Sequence, residues 1–165
     1  NRRSQAPPVA DGARERRVYL PRHADGWWHW GSGQHFSGGQ WVTVAAALDE
    51  LPLFVRGGAL LPTTDIDSDH ARTEEPSRAL HWFVPPSGEA TSSVSEDDGL
   101  RSAETPDRYR LHHFSARADA SALHLSLTGE GTWTPPYSSV RVVLPATETR
   151  ALALASTANG VTLTR

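Results

Sequence analysis

The chain is a succession of short apolar runs, each interrupted by glycine, proline or a polar turn. Leu123, Leu125 and Leu127 alternate with His124 and Ser126, which is the two-residue period of a strand with one buried face. With this run, at 122–127, the candidate strands lie at residues 17–20, 27–30, 41–45, 52–56, 59–61, 79–84, 91–95, 109–114, 122–127, 139–144, 150–154 and 161–164. Many short strands at intervals of about 8–12 residues are typical of antiparallel β-sandwiches. We therefore predict an all-β fold.

Composition divides this pattern into two regions. Residues 63–78 carry five acidic side chains and no apolar run beyond Ile66, which indicates a linker. The first sixteen residues are polar and suit a tail or connecting segment. We predict two small antiparallel β-sandwich modules in tandem, with a tail at 1–16, a first module at 17–64, a linker at 65–78 and a second module at 79–165.

Length and charge exclude several classes of protein. A complete (β/α)8 barrel needs roughly 250 residues, and the chain has 165. Its net charge of −3 gives no electrostatic footprint for nucleic acid, and its apolar runs are too short to span a bilayer. The absence of cysteine rules out disulfides, thiolate nucleophiles and cysteine-ligated zinc. We therefore expect neither nucleic acid nor a membrane as a partner.

The densest acidic run outside the predicted linker is Glu96-Asp97-Asp98-Gly99. Glycosidases need two carboxylates held at a set distance, but neighbouring residues of a strand point to opposite faces. We predict that Asp97, Asp98 and Gly99 form a structural turn in which glycine takes a positive φ. A calcium site and a catalytic pair are the alternatives, although the alternating acids and closing glutamate of an EF-hand are missing.

Other motifs for catalysis or metal binding are weak. His112 and His113 are adjacent and would lie on opposite faces of a strand. The sequence contains no His-Glu-x-x-His and no Gly-x-Ser-x-Gly, the motifs of helical zinc sites and of serine hydrolases. We predict no catalytic residue, no metal site and no cofactor.

Four of the six tryptophans fall within fifteen residues. Exposed indoles could form a flat platform on which sugar rings stack, since the ring has an apolar body and a polar edge. Alternatively, Trp28 and Trp30 fill a small core or a seam between domains. The candidate sugar-stacking residues are Trp27, Trp28, Trp30 and Trp41.

Several blocks of the sequence resemble the C-terminal region of glycoside hydrolase family 31, the α-glucosidase and α-xylosidase family. Trp27-Trp28-His29-Trp30-Gly31-Ser32-Gly33 is similar to the Trp-Tyr-Asp-Phe-Trp-Thr-Gly of that family, with His29 in place of the acid. Glu96-Asp97-Asp98-Gly99, followed by Tyr109, is similar to its Tyr-Glu-Asp-Asp-Gly…Tyr. The remaining blocks are Val-Tyr-Leu-Pro at 18–21, Gly-Gly-Gln at 38–40 and Pro-Leu-Phe-Val-Arg-Gly-Gly-Ala-Leu-Leu-Pro at 52–62.

The resemblance implies a proximal β-sandwich, truncated at its start, joined to a distal β-sandwich. In family 31 the catalytic aspartates lie on a preceding barrel, so the resemblance transfers no catalytic residue to this chain. It implies a non-catalytic accessory region of a retaining α-glycosidase, with the catalytic (β/α)8 barrel as partner. The chain alone is then expected not to cleave α-glycosides. The alternative is a carbohydrate-binding module that holds an α-linked oligosaccharide through the tryptophans.

Overall fold

The structure is a computed structural model that describes residues 14–47, 51–64, 78–99, 105–158 and 160–165. Within these residues the only helical element is a 3-10 turn at Pro106–Arg108, and strands form nearly all other regular structure. The all-β prediction is confirmed. Of the predicted tail and the predicted linker, residues 1–13 and 65–77 lie outside the described part of the chain.

The described residues form thirteen strands in two compact units, which are Asn1–Gly57 (unit 1) and Gly58–Arg165 (unit 2). Unit 1 contains β1 (Glu15–Leu20), β2 (Trp27–His29), β3 (His35–Phe36), β4 (Gln40–Ala45) and β5 (Phe54–Arg56). Unit 2 contains β6 (Leu60–Thr64), β7 (Arg78–Trp82), β8 (Gly88–Asp97), β9 (Tyr109–Ala118), β10 (Ala122–Glu130), β11 (Ser139–Val143), β12 (Ala151–Ser156) and β13 (Thr162–Thr164).

The boundary between the units differs from the predicted one. The sequence pattern placed residues 59–64 in the first module. In the structure β6 pairs antiparallel with β7, with Leu60 opposite Trp82, so β6 is part of a unit 2 sheet. The predicted linker thus falls between two paired strands of one sheet.

Unit 1 consists of two small antiparallel sheets. One pairs β1 with β4, and the other has the order β3-β2-β5. Alternation in β1 and β4 turns Val18, Leu20, Val42 and Val44 to one face, where the last three are buried. Trp27, Phe36 and Phe54 from the second sheet pack against them. The two sheets therefore share one small apolar core.

Unit 2 is a sandwich of two four-stranded sheets, with strand orders β12-β10-β9-β8 and β13-β11-β7-β6. Leu123, Leu125 and Leu127 of β10 are at most 2% exposed, as their alternation with polar residues predicts. They share one core with Leu80 and Trp82 of β7 in the facing sheet. Both sheets of the sandwich thus contribute large apolar side chains to the same interior.

Both sheets of unit 2 combine antiparallel and parallel pairs. Consecutive strands β8, β9 and β10 pair antiparallel. Strand β12 is parallel to β10, and β11 is parallel to both β7 and β13. Parallel neighbours need a crossover connection, and the sequence pattern does not reveal which strands such a crossover joins.

Candidate functional site

The four tryptophans of the predicted cluster lie in different environments. Trp27 is half-buried, packs against the core of unit 1 and donates its Nε1–H to the Pro21 carbonyl at 2.8 Å. Trp28 is also half-buried, with its ring 4.8 Å from that of His35. Trp30 and Trp41 are 37% and 55% exposed. The four rings therefore differ in exposure, with Trp27 packed against the core, and their role in stacking on a sugar stays a prediction.

Trp41 has an aromatic neighbour that the sequence prediction missed. Tyr19 lies directly opposite Trp41 in the β1–β4 register, and the ring centroids are 5.3 Å apart. The Arg17 guanidinium carbon lies 4.8 Å from the centroid of the Trp41 ring, within the range of a cation–π contact. The alternation Arg17-Val18-Tyr19-Leu20 could have revealed this, because it places Tyr19 on the face opposite the buried Leu20.

His29, which stands in place of the acid in the family pattern, stabilises a turn. Its side chain is buried, and its Nδ1 accepts the Ser32 backbone N–H at 3.3 Å. The Ser32 hydroxyl lies 2.9 Å from the same nitrogen. A carboxylate would accept these donors in a similar way. The substitution therefore keeps an acceptor in the turn between β2 and β3.

The predicted acidic turn begins where β8 ends. Asp97 is the last residue of β8, and its Oδ1 accepts the Gly99 N–H at 2.7 Å. Gly99 has a φ of +66°. Strand β9 begins at Tyr109, opposite Asp97, and residues 100–104 of the connection lie outside the described part. This connection is longer than a two-residue hairpin turn, and the structural role of Asp97, Asp98 and Gly99 stays a prediction.

Glu96 of the same acidic run belongs to a polar cluster that the sequence analysis did not identify. It lines a cleft of about 410 Å³ that also contacts Arg78 and Tyr137. Arg78 donates its Nε–H to Glu96 Oε1 at 2.5 Å, and the Tyr137 hydroxyl donates a hydrogen bond to Oε2. His112 Nε2 lies 3.2 Å from that hydroxyl. No local spacing connects these four residues, because they come from separate parts of the chain.

Burial shifts the pKa values of two groups in this polar cluster. Desolvation lowers the pKa of His112 below its usual value, although the nearby Glu96 carboxylate opposes this shift. Desolvation and the hydrogen bond to Glu96 raise the pKa of Tyr137 well above its usual value. Tyr137 is therefore a protonated donor at neutral pH, and His112 is uncharged. Both Glu96 oxygens accept hydrogen bonds, so the cluster connects β7 of one sheet to β8 of the other.

Neither a metal site nor a membrane span is formed by the described residues. No three His, Asp or Glu side chains of that set come close enough together to hold an ion. His112 is fully buried whereas the side chain of His113 is 39% exposed, as expected for neighbours on opposite strand faces. No helix in the described ranges is long and apolar enough to cross a bilayer.

Similarity to known proteins agrees with the sequence blocks. Residues 5–61 match the Glycosyl hydrolase family 31 C-terminal domain. The chain is 24% identical over 143 residues to Alpha-glucosidase 2 of Bacillus thermoamyloliquefaciens, covering 87% of the chain and 18% of that protein. It is 34% identical over 86 residues to Alpha-xylosidase of Saccharolobus solfataricus, covering 52% and 11%. The resemblance to family 31 is confirmed.

A solved structure extends this similarity to the fold. The crystal structure of the family 31 α-xylosidase from Xanthomonas citri superposes with a TM-score of 0.61 at 24% identity, over 85% of this chain and 15% of the xylosidase. The chain thus spans less than a fifth of the length of any of these three family 31 relatives. It is similar to a part of each of them.

Proposed function

We propose that the chain is a non-catalytic C-terminal accessory region of a retaining α-glycosidase and that it supports a catalytic (β/α)8 barrel. The observation that carries this proposal is the partial coverage. The α-glucosidase and the α-xylosidase align with the chain over only 18% and 11% of their lengths. Since 165 residues cannot contain the barrel, the remaining length of such an enzyme must supply the catalytic carboxylates.

The environment of Glu96 supports a structural role for the acidic run. A retaining glycosidase needs a carboxylate nucleophile with a second carboxyl group about 5–5.5 Å away. Both Glu96 oxygens instead accept hydrogen bonds from Arg78 and Tyr137. The guanidinium neutralises the carboxylate, which leaves it poorly suited to attack an anomeric carbon.

A chimera tests the accessory role. The matching C-terminal region of the Saccharolobus solfataricus α-xylosidase is replaced by this chain, and a second version of the enzyme lacks that region altogether. We expect the truncated enzyme to lose folded yield and turnover of nitrophenyl α-xyloside, and the chimera to recover both. The chain alone should release no nitrophenol from α-glucoside or α-xyloside. Turnover by the chain alone that is lost on Asp97→Ala or Asp98→Ala would contradict the proposal.

The second candidate role, a carbohydrate-binding module, is supported by the exposure of Trp30 and Trp41. Trp27 and Trp28 contribute less exposed surface. An α-linked oligosaccharide is the ligand that the family resemblance implies for such a module. Saturable binding of a maltose-type or xylose-type oligosaccharide by the isolated chain would favour this role.

A further inference from the structure

The two faces of the β1–β4 sheet differ sharply. One face supplies the buried Leu20, Val42 and Val44 to the core of unit 1. On the other face every residue is exposed. We call this second face the aromatic face, and it consists of three cross-strand pairs, Glu15 with Ala45, Arg17 with Thr43 and Tyr19 with Trp41.

The two rings of the aromatic face are exposed but restrained. Tyr19 is 39% and Trp41 is 55% exposed, and their planes are tilted by 54°. The Arg17 guanidinium lies against the Trp41 ring. Aromatic pairs and cation–π contacts are both attractive, so these contacts limit the rotamers of Trp41. A ligand that stacks on the ring then loses little side-chain entropy on binding.

The geometry points to the aromatic face as a binding site for a neutral carbohydrate. A sugar ring has an apolar face of C–H groups and a rim of hydroxyls. Trp41 and Tyr19 offer the matching apolar surfaces, while Arg17, Thr43 and Glu15 on the same face offer donors and acceptors for hydroxyls. One guanidinium and one carboxylate give the face no net charge, which suits an uncharged ligand. This proposal rests on the second candidate role, the carbohydrate-binding module, and not on the accessory role.

The small size of the aromatic face favours a sugar over a protein. Residues 15–19 of a strand extend about 14 Å, and two strands with their side chains are about 10 Å wide. The face therefore offers roughly 150 Å², whereas a stable protein interface needs about 800 Å² from each partner. A surface of this size fits one or two sugar rings.

The test is an NMR titration of the complete chain with maltoheptaose, xyloglucan heptasaccharide and cellohexaose, with an oligogalacturonate as an acidic comparator. The indole N–H signals of the six tryptophans are assigned with single Trp→Phe variants. We expect a saturable shift of the Trp41 signal with at least one neutral oligosaccharide. Trp41→Ala should weaken that binding by about tenfold or more, equivalent to about 1.4 kcal/mol. Trp41→Tyr should retain most of it.

Leu53→Ala is the control, because Leu53 is also an exposed apolar residue of unit 1 but lies outside the aromatic face. Its oligosaccharide affinity should equal that of the parent chain, whereas Trp30→Ala tests the other exposed tryptophan of the proposed carbohydrate-binding module. The proposal is overturned if no oligosaccharide shifts the Trp41 signal at millimolar concentration, or if Trp30→Ala abolishes binding while Trp41→Ala does not. It is also overturned if Trp41→Ala affects only the turnover of the α-xylosidase chimera, which would assign the face to contact with the barrel.

Discussion

The two units bury very different amounts of apolar surface. Among the residues that the structure describes, the core of unit 1 contains three buried residues, whereas that of unit 2 contains fifteen. Strands of unit 1 have two to six residues, while β8 and β9 of unit 2 have ten each. Because stabilisation follows the apolar area removed from water, unit 2 should hold most of the stability of the chain. The core of unit 1 should contribute less to stability, and unit 1 also leaves rings such as Trp41 exposed.

The strongest test of this comparison is Trp82→Ala in unit 2. Trp82 is 1% exposed and belongs to the core that both sheets share. Truncating a buried aromatic residue typically costs about 3–5 kcal/mol, and we expect the free energy of unfolding of unit 2 to fall by that amount in urea. Leu61→Ala, at a neighbouring position that is 39% exposed, is the control and should cost far less. Equal losses would show that the core of unit 2 is not the main source of stability.

The polar cluster predicts the next largest effect. Glu96→Gln removes the charge that Arg78 neutralises, and charge-assisted hydrogen bonds contribute about 1.5–3 kcal/mol. We expect a loss of that order in the urea unfolding free energy of unit 2. Glu130→Gln is the matched control, because Glu130 pairs with His113 at a side chain that is 65% exposed; such pairs contribute about 0–1 kcal/mol. A loss no larger than the control would contradict the connecting role of the cluster.

His112 predicts how the stability of unit 2 depends on pH. Burial lowers the pKa of His112 from its ordinary 6.5 in the folded state, so the unfolded chain takes up this proton first as the pH falls. Protonation of His112 should thus leave the free energy of unfolding unchanged above about pH 6.5, and should reduce that free energy progressively below this value. Between pH 7 and pH 5, the free energy of unfolding measured in urea should therefore fall less for His112→Gln than for the parent chain. His124→Gln, at an exposed site of β10, is the control, and equal flattening in both variants would contradict this assignment.

The strands and the polar cluster around Glu96 differ in how far the sequence reveals them. The alternation of Leu123, Leu125 and Leu127 with polar residues predicted strand β10, because alternation is a local pattern. It can be recognised without knowing which strands β10 pairs with. Strand β3 was missed, since His35 and Phe36 are too few to show any period. The cluster around Glu96 was missed because it joins strands of two sheets, and only the folded chain brings Arg78, His112 and Tyr137 to the same place.

A core substitution in unit 1 should have a smaller effect than one in unit 2. Val42→Ala removes two methyl groups from a core of three buried residues, a loss of about 1–2 kcal/mol. We expect unit 1 to unfold at lower urea than unit 2, and Val42→Ala to shift only this first transition. The indole N–H NMR signal of Trp27, which packs against this core, reports on the first transition, and Thr43→Ala on the opposite face of β4 is the control. A single transition shared by both units would show that they unfold together.

Two glycines of unit 2 should respond differently to the same substitution. Gly99 has a φ of +66°, and no atom of the described residues lies within 4 Å of a Cβ placed there. Gly99→Ala should therefore meet backbone strain, which costs roughly 1–2 kcal/mol in the left-handed region. Gly131 has a φ of +79°, and a Cβ there would lie 2.2 Å from the Tyr109 carbonyl oxygen, so Gly131→Ala adds a collision with backbone to the same strain. We expect Gly131→Ala to lower the melting temperature of unit 2 clearly more than Gly99→Ala. If both variants have the same melting temperature, the backbone near Tyr109 can move aside, and the start of β9 is less rigid than the rest of the sandwich.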